Sequence, residues 1–294
     1  MSITSIPFKR LWTSTRSGPS LILRGVIYLL LSLSSITMLF PFFWMVSTSL
    51  KTQDQVFRTP PLLWPSQPRW MNYVEAWQFA NFDRYLLNST IISITRTAGV
   101  VFLASLAGYA LAKLRFKGRK VIFFSIICTM MVPFVINIVP VYILLSKLQW
   151  PGPWLDSYWG VVVPQLGSAL GVFLITQFMG SLPTELLDAA RIDGCSEFKI
   201  YLRIALPLAK PVLAALAILI FMTTWNDFTW PLIVLNSEAM KTIPLGIATF
   251  QSPWSNLRAY QMAVTTLSCL PVFVVFILLR RQFTEGMTMT GLKG

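Results

Sequence analysis

The chain has 294 residues, 55% of them hydrophobic and only 12% charged, a balance outside the range of soluble domains and typical of polytopic membrane proteins. A net charge of +13 would suit nucleic acid, but the basic residues fall in alternate loops between apolar runs, the pattern that membrane topology imposes, so no nucleic-acid partner is expected. The chain has no histidine, which removes histidine general acids, histidine-containing triads and histidine metal sites; neither catalytic residues nor a metal site is expected.

Six apolar stretches are long enough, at about 1.5 Å per helical residue, to cross a hydrocarbon core of about 30 Å. They cover residues 25–48, 86–112, 121–146, 158–181, 211–235 and 259–279. The fold class is therefore an all-α polytopic membrane protein with six transmembrane helices. A basic N-terminal segment (1–24) precedes the six-span domain (25–281), and a tail (282–294) follows it. Lys9, Arg10, Arg16 and Arg24 precede the first span, Lys113, Arg115, Lys117, Arg119 and Lys120 separate the second from the third, and Arg280, Arg281 and Lys293 follow the sixth. This alternation places both termini in the cytoplasm and the first 24 residues along the inner lipid surface.

The first span is too long for a signal-peptide core and lacks a small-x-small cleavage site, so it reads as retained. Trp44 suits its outer interface and Lys51 stops the crossing. An external segment follows in which Pro60, Pro61, Pro65 and Pro68 favour extended chain, while Trp64, Trp70 and Trp77 either anchor the interface or contact a soluble partner. In the second span, Ala104, Gly108 and Ala112 recur every four residues, a face smooth enough for close helix packing, and Gly167 and Gly171 repeat that spacing in the fourth. Pro133 and Pro140 flank Asn137 in the third span and predict a bent helix with freed carbonyls.

Arg96 lies about a dozen residues into the second span, near mid-membrane, and Asp227 lies at similar depth in the fifth. Buried charges in lipid normally face a bundle interior, water or a partner, so both are candidates for a translocation pathway and for pairing with each other. Asn137, Trp225 and Asn226 join them as pathway candidates. Trp225, Phe228 and Trp230 suit either stacking on a sugar ring or plain packing.

Residues 183–210, between the fourth and fifth spans, are polar. Thr184 is expected to cap a helix through Arg191, Gly194 to take the left-handed conformation that ends it, and Ser196 to cap a second helix reaching about Leu206. The first helix presents Glu185, Asp188, Ala189 and Ala190, with Arg191, Asp193 and Cys195 nearby, as a small-residue face edged with charge. The loop 236–258 is external and long enough to reach away from the membrane, and the tail from Gly286 is expected to be extended. Cys128, Cys195 and Cys269 have no plausible disulfide partners.

Asp188, Ala189, Ala190, Gly194, Ile204, Leu206 and Pro207 together resemble the cytoplasmic coupling segment of bacterial ABC import permeases. Asp188 stands where Glu is usual and Cys195 where Ala is usual. With FPFFWMVSTSLK at the end of span one, MVPFVINIVPVY in span three, WNDFTWPL in span five and the GLKG terminus, the chain resembles a permease subunit of the maltose-type carbohydrate importers. That resemblance implies a type I importer permease fold in the bacterial inner membrane. It also implies a complex with a second homologous permease, a cytoplasmic ATPase dimer and an external solute-binding protein that delivers a sugar-like substrate. ATP and Mg would bind the ATPase, since this chain lacks a GxxxxGK[ST] phosphate loop and is not expected to be an enzyme. The resemblance also implies that Glu185, Asp188, Ala189, Ala190, Asp193, Gly194 and Cys195 couple to the ATPase. A permease for another polar solute, such as a glycerol phosphoester, is the near alternative. An ion-coupled secondary carrier is the distant one, since no inverted repeat is visible.

Overall fold

The computed structural model describes residues 21–149, 152–252 and 255–290. The segment 1–20, Trp150, Trp254 and Lys293 lie outside the described residues.

Helix α1 (Leu21–Ser49) leads into the short helices α2 (Gln53–Val56) and α3 (Met71–Phe79), and then into α4 (Phe82–Lys113). Helices α5 (Arg119–Thr129) and α6 (Phe134–Lys147) meet at 97°, and α7 (Tyr158–Val162) passes through a single turn at 163–165 into α8 (Ala169–Ser181) with a bend of 44°. The polar connection after α8 contains α9 (Thr184–Ile192), α10 (Glu197–Ile200) and α11 (Leu206–Leu208), and the chain then returns through α12 (Lys210–Trp225) and α13 (Thr229–Val234). Helices α14 (Ile243–Ala248) and α15 (Arg258–Thr290) complete the order. Among the described residues, the strand pairing is limited to Gln251–Ser252 against Ser255–Asn256, so the fold is helical as expected. Helices α1, α4 and α15 are long and apolar enough to cross a membrane, and up to six crossings result if each bent pair counts as one.

The bend in the third span is sharper than two prolines alone suggest. Pro133 sits in the break with extended backbone, while Pro140 stays inside α6. The fifth span departs from the continuous run expected over 211–235. Helix α12 has 16 residues, about 24 Å of rise, and ends before Asn226. Pro231 has no N–H to donate to the Asp227 carbonyl, and the Asp227 carboxylate instead accepts from Trp230 N at 3.3 Å and starts α13. The expected extended tail is also corrected: α15 runs through Gly286 to Thr290, because one glycine costs a helix only about 1 kcal/mol.

The predicted small faces meet in part: Gly171 faces Ala104 and Gly108 faces Ile175, while Gly167 precedes α8 with nothing within 4 Å of an added Cβ. A Cβ on Gly108 would lie 2.6 Å from Ile175 Cγ2, and one on Gly171 would lie 3.1 Å from Ala104 Cβ, so α4 and α8 approach closely along the stripe that the spacing foretold. Around this seam, Val100, Ala104, Ile175 and Leu216 form one buried cluster with Leu187 and Tyr201 of the connection between α8 and α12. The connection is thus packed onto the bundle.

Just after α1, Lys51 is buried instead of ending a span in water. Its Nζ lies 4.2 Å over the Trp44 ring and donates to Leu62 O at 2.6 Å, while Asn72 Nδ2 donates to Ser49 O and Lys51 O, both at 2.8 Å. In the loop after α13, residues 238–243 fold back onto α4. Asn88 Nδ2 donates to Ala239 O and Lys241 O at 2.8 and 2.9 Å, Ser89 Oγ accepts from Ile243 N, and Tyr85 donates to Glu238.

Candidate functional site

Two places gather polar chemistry: the knob formed by residues 183–210 and a cavity beside α4. At the knob, α9 ends in a Schellman closure. Gly194 has φ +75°, Gly194 N donates to Arg191 O at 3.0 Å, and Cys195 N donates to Ala190 O at 3.0 Å, so two otherwise orphaned carbonyls are satisfied. Ser196 Oγ then accepts from Lys199 N at 3.4 Å and caps α10, as expected. Thr184 is not the cap of α9. Pro183 occupies that position without a side-chain acceptor, and Thr184 is the first helical residue.

The second helix does not run evenly to Leu206. Residues Tyr201–Ala205 form a wider π turn in which Leu206 N donates to Tyr201 O, immediately before Pro207, whose missing N–H and ring are incompatible with a regular bond to Arg203 O. The connection then meets α12 at 76°.

The knob is tied to α4 by a relay that its sequence does not announce. Arg191 Nε donates to Glu197 Oε1 at 2.7 Å and Arg191 Nη1 to Asp188 Oδ1 at 2.6 Å. Tyr109 OH of α4 donates to Glu197 Oε2 at 2.8 Å, Ser105 Oγ and Tyr201 OH are 2.7 Å apart, and Lys113 Nζ donates to Leu182 O at 2.7 Å. The Arg191 hydrogen bonds hold the Glu197 carboxyl below the ordinary carboxylate range, and the two carboxylates in turn raise the arginine.

Of the expected docking residues, Glu185, Asp188, Ala189, Asp193 and Gly194 are exposed. Ala190 is buried and Cys195 half-buried, both packed into the core. Of the two alanines of the small face, Ala190 therefore turns inward and Ala189 stays on the surface. The outward face carries larger side chains, with Leu186 50% and Ile192 87% exposed.

The second place is a cavity of 480 Å³ between α4, the turn at 163–165 and the α12–α13 break. Arg96 and Asp227 both line it, but in this conformation they are not ion-paired: the ion pairs among the described residues join other side chains. Arg96 Nη1 donates to Thr224 Oγ1 at 3.0 Å, and Asp227 Oδ2 accepts from Gln165 Nε2 at 3.3 Å.

The other pathway candidates separate from this pair. Trp225 is buried, stacked on Phe221 at 5.5 Å, with Nε1 donating to Ser268 O at 3.0 Å. Asn226 Nδ2 donates back to Met222 O at 2.8 Å, and Asn137 is exposed on α6 and does not line the cavity. Trp230 is fully buried, with Nε1 donating to Gly160 O at 3.2 Å, so packing accounts for both indoles. Gln165 and Thr224 were missed. Their signal was an amide and a hydroxyl inside apolar runs, which is weak without knowledge of the partner.

Comparison with known proteins gives the family. The family model described as "Binding-protein-dependent transport system inner membrane component" matches residues 101–289. The chain is 35% identical over 275 residues to the arabinooligosaccharides transport system permease protein AraQ of Bacillus subtilis (strain 168), covering 92% of this chain and 96% of that protein. It is 33% identical over 262 residues to the lactose transport system permease protein LacG of Rhizobium radiobacter, covering 89% and 94%. It is 31% identical over 276 residues to the sn-glycerol-3-phosphate transport system permease protein UgpE of Brucella abortus (strain 2308), covering 90% and 95%. The crystal structure of a bacterial ABC transporter involved in the import of the acidic polysaccharide alginate contains a chain that superposes with a TM-score of 0.78 at 21% identity, over 89% of this chain and 96% of that one, which shows a shared fold. The chain belongs to the family of binding-protein-dependent transport system inner membrane components.

Proposed function

We propose that this chain is the permease subunit of an ATP-driven ABC importer that carries a sugar or related polyhydroxylated solute into the cytoplasm. The carrying observation is the knob: an exposed helix closed by Gly194, packed at its base onto α4 and α8 and joined to α4 by the Arg191–Glu197–Tyr109 relay. Such a knob transmits a push from a soluble partner directly into membrane helices.

The partner is an ATPase dimer that binds ATP and Mg, and this chain hydrolyses nothing itself. Glu185, Asp188, Ala189, Asp193 and Gly194, together with Leu186 and Ile192, meet one ATPase, while Ala190 and Cys195 support them from below. A second homologous permease completes the pathway, both termini face the cytoplasm, and an external solute-binding protein delivers the substrate. The names of the relatives support this division of labour. They also supply a second reading, a glycerol phosphoester as solute, which the Brucella relative favours.

The test is cysteine crosslinking in native membranes. With Cys128, Cys195 and Cys269 replaced by serine, Ile192→Cys is expected to crosslink to a soluble ATPase and to no external protein. Crosslinking to an external protein, or none to an ATPase, would overturn the assignment of this face.

A further inference from the structure

We infer that the cavity between α4, the 163–165 turn and the α12–α13 break is a subsite for the hydroxyl groups of an uncharged sugar or polyol, with Arg96 as donor and Asp227 as acceptor. The inference rests on the transport reading and sharpens it, since it assigns a solute contact to this chain and selects between the neutral and anionic solutes that the relatives' names span.

The cavity, at 480 Å³, is within the size range of small-molecule sites. Arg96 commits Nη1 to Thr224 but keeps a buried Nε without an acceptor, and buried donors in folded proteins are normally paired. Asp227 is fixed by two donors, Gln165 Nε2 and Trp230 N, both at 3.3 Å. An ionised carboxylate offers about four acceptor positions, so two remain on a side chain that lines the cavity.

Among the other polar lining groups, Thr223 Oγ1 donates to Ile220 O and Ser168 Oγ accepts from Gly171 N, while Thr229 adds a hydroxyl to the wall. A free acceptor beside a free donor is what a sugar hydroxyl matches, because a hydroxyl donates and accepts at once. Charge excludes the alternative. Arg96 and Asp227 are the formal charges on the wall and cancel, so a phosphate or carboxylate entering here would meet Asp227 with no surplus cation to compensate.

The experiment uses the complete transporter, with its ATPase, second permease and binding protein, in proteoliposomes. Uptake is measured with four radiolabelled probes: lactose and arabinotriose as neutral solutes, and sn-glycerol 3-phosphate and digalacturonate as anionic ones. The wild type is expected to take up a neutral probe in preference to both anions. Asp227→Asn keeps an oxygen to cap Trp230 N but loses the charge and one oxygen with its two acceptor positions, and should lower the neutral-to-anionic ratio about tenfold. Gln165→Leu releases Asp227 from one donor and should lower the ratio about threefold; it carries the test if Asp227→Asn fails to assemble. Preferred uptake of either anion by the wild type, or an unchanged ratio in the variants, overturns the subsite. ATP-driven uptake of none of the four probes removes the carbohydrate-transport reading itself, and the subsite with it.

Discussion

The knob and the cavity are built from interactions of different range. At the knob, the cap and the turn close within a few residues: Ser196 to Lys199, Gly194 to Arg191, Cys195 to Ala190. In the cavity, Arg96 meets Thr224 from 128 residues away and Gln165 meets Asp227 from 62. A local motif keeps its geometry wherever the fold places it, whereas a cavity exists only once the helices have packed. Helix α4 serves both, presenting Arg96 to the cavity and Tyr109 to the knob, so the two regions share one rigid element.

The largest expected effect comes from breaking that shared element. In Gly108→Ala the new methyl would lie 2.6 Å from Ile175 Cγ2 and 3.1 Å from the Thr176 backbone nitrogen, and the backbone cannot yield as a side-chain tip would. Overpacking of this kind costs about 1–3 kcal/mol. Thermal unfolding of the detergent-solubilised complex should show it, and uptake should fall with it. Gly167→Ala is the contrast, since nothing lies within 4 Å of its added Cβ, and its stability should stay within about 0.5 kcal/mol of wild type. Equal stability of the two variants would mean that α4 and α8 are not closely packed.

Next in size is Gly194→Val, which separates the knob from the cavity. No atom lies within 4 Å of a Cβ built there, so the penalty is backbone strain at φ +75°, about 1–2 kcal/mol for an L-residue. A reshaped turn misaims α9, and ATP-driven uptake should fall about tenfold or more for that energy. Gly194→Asn, which tolerates the left-handed region, should recover most of it. Normal uptake by Gly194→Val would show that the closed turn is not what transmits force.

The same difference in range explains what could be read in advance. The Gly194 turn, the Ser196 cap, the bend near Pro133 and the small faces of Gly108 and Gly171 were legible, because each depends on a residue's own backbone preference or on helical spacing. The break after Trp225 was not, because the apolar run continues to Leu235 and hides the competition between Pro231 and the Asp227 cap. Ala190 was placed outward and lies inward, since an alanine in an amphipathic helix suits either face until Leu187 and Tyr201 are known to share its cluster. The indoles of Trp225 and Trp230 suited sugar stacking and plain packing alike in the sequence, and each spends its N–H on a core carbonyl.

A smaller effect is expected at the relay. In Arg191→Leu, Asp188 and Glu197 lose their shared partner. The arginine side chain is 34% exposed, so folding stability should fall by no more than about 1 kcal/mol. Uptake should fall about fivefold, the low end of ordinary coupling energies. Uptake loss without a comparable stability loss is the mark of a transmitting link; parallel losses would make the relay a plain brace.

The smallest effect is a titration, and it belongs to the knob. The Glu197 carboxyl is held below its ordinary value of 4.5, chiefly by the Arg191 hydrogen bonds with Tyr109 adding to them, against the upward push of burial. A depressed carboxylate stabilises the folded state fully above its unfolded value and loses that contribution as pH falls through the folded value. The stability gap between wild type and Arg191→Leu should therefore be constant from about pH 5 to 8 and shrink below about pH 4.5, by about 0.5 kcal/mol for a pair this exposed. Thermal unfolding of both proteins across that range measures it. A gap that persisted well below pH 4 would mean that Arg191 stabilises the knob through packing of its aliphatic stem, and that the link to α4 runs through the Tyr109–Tyr201 ring contact at 5.4 Å rather than through charge.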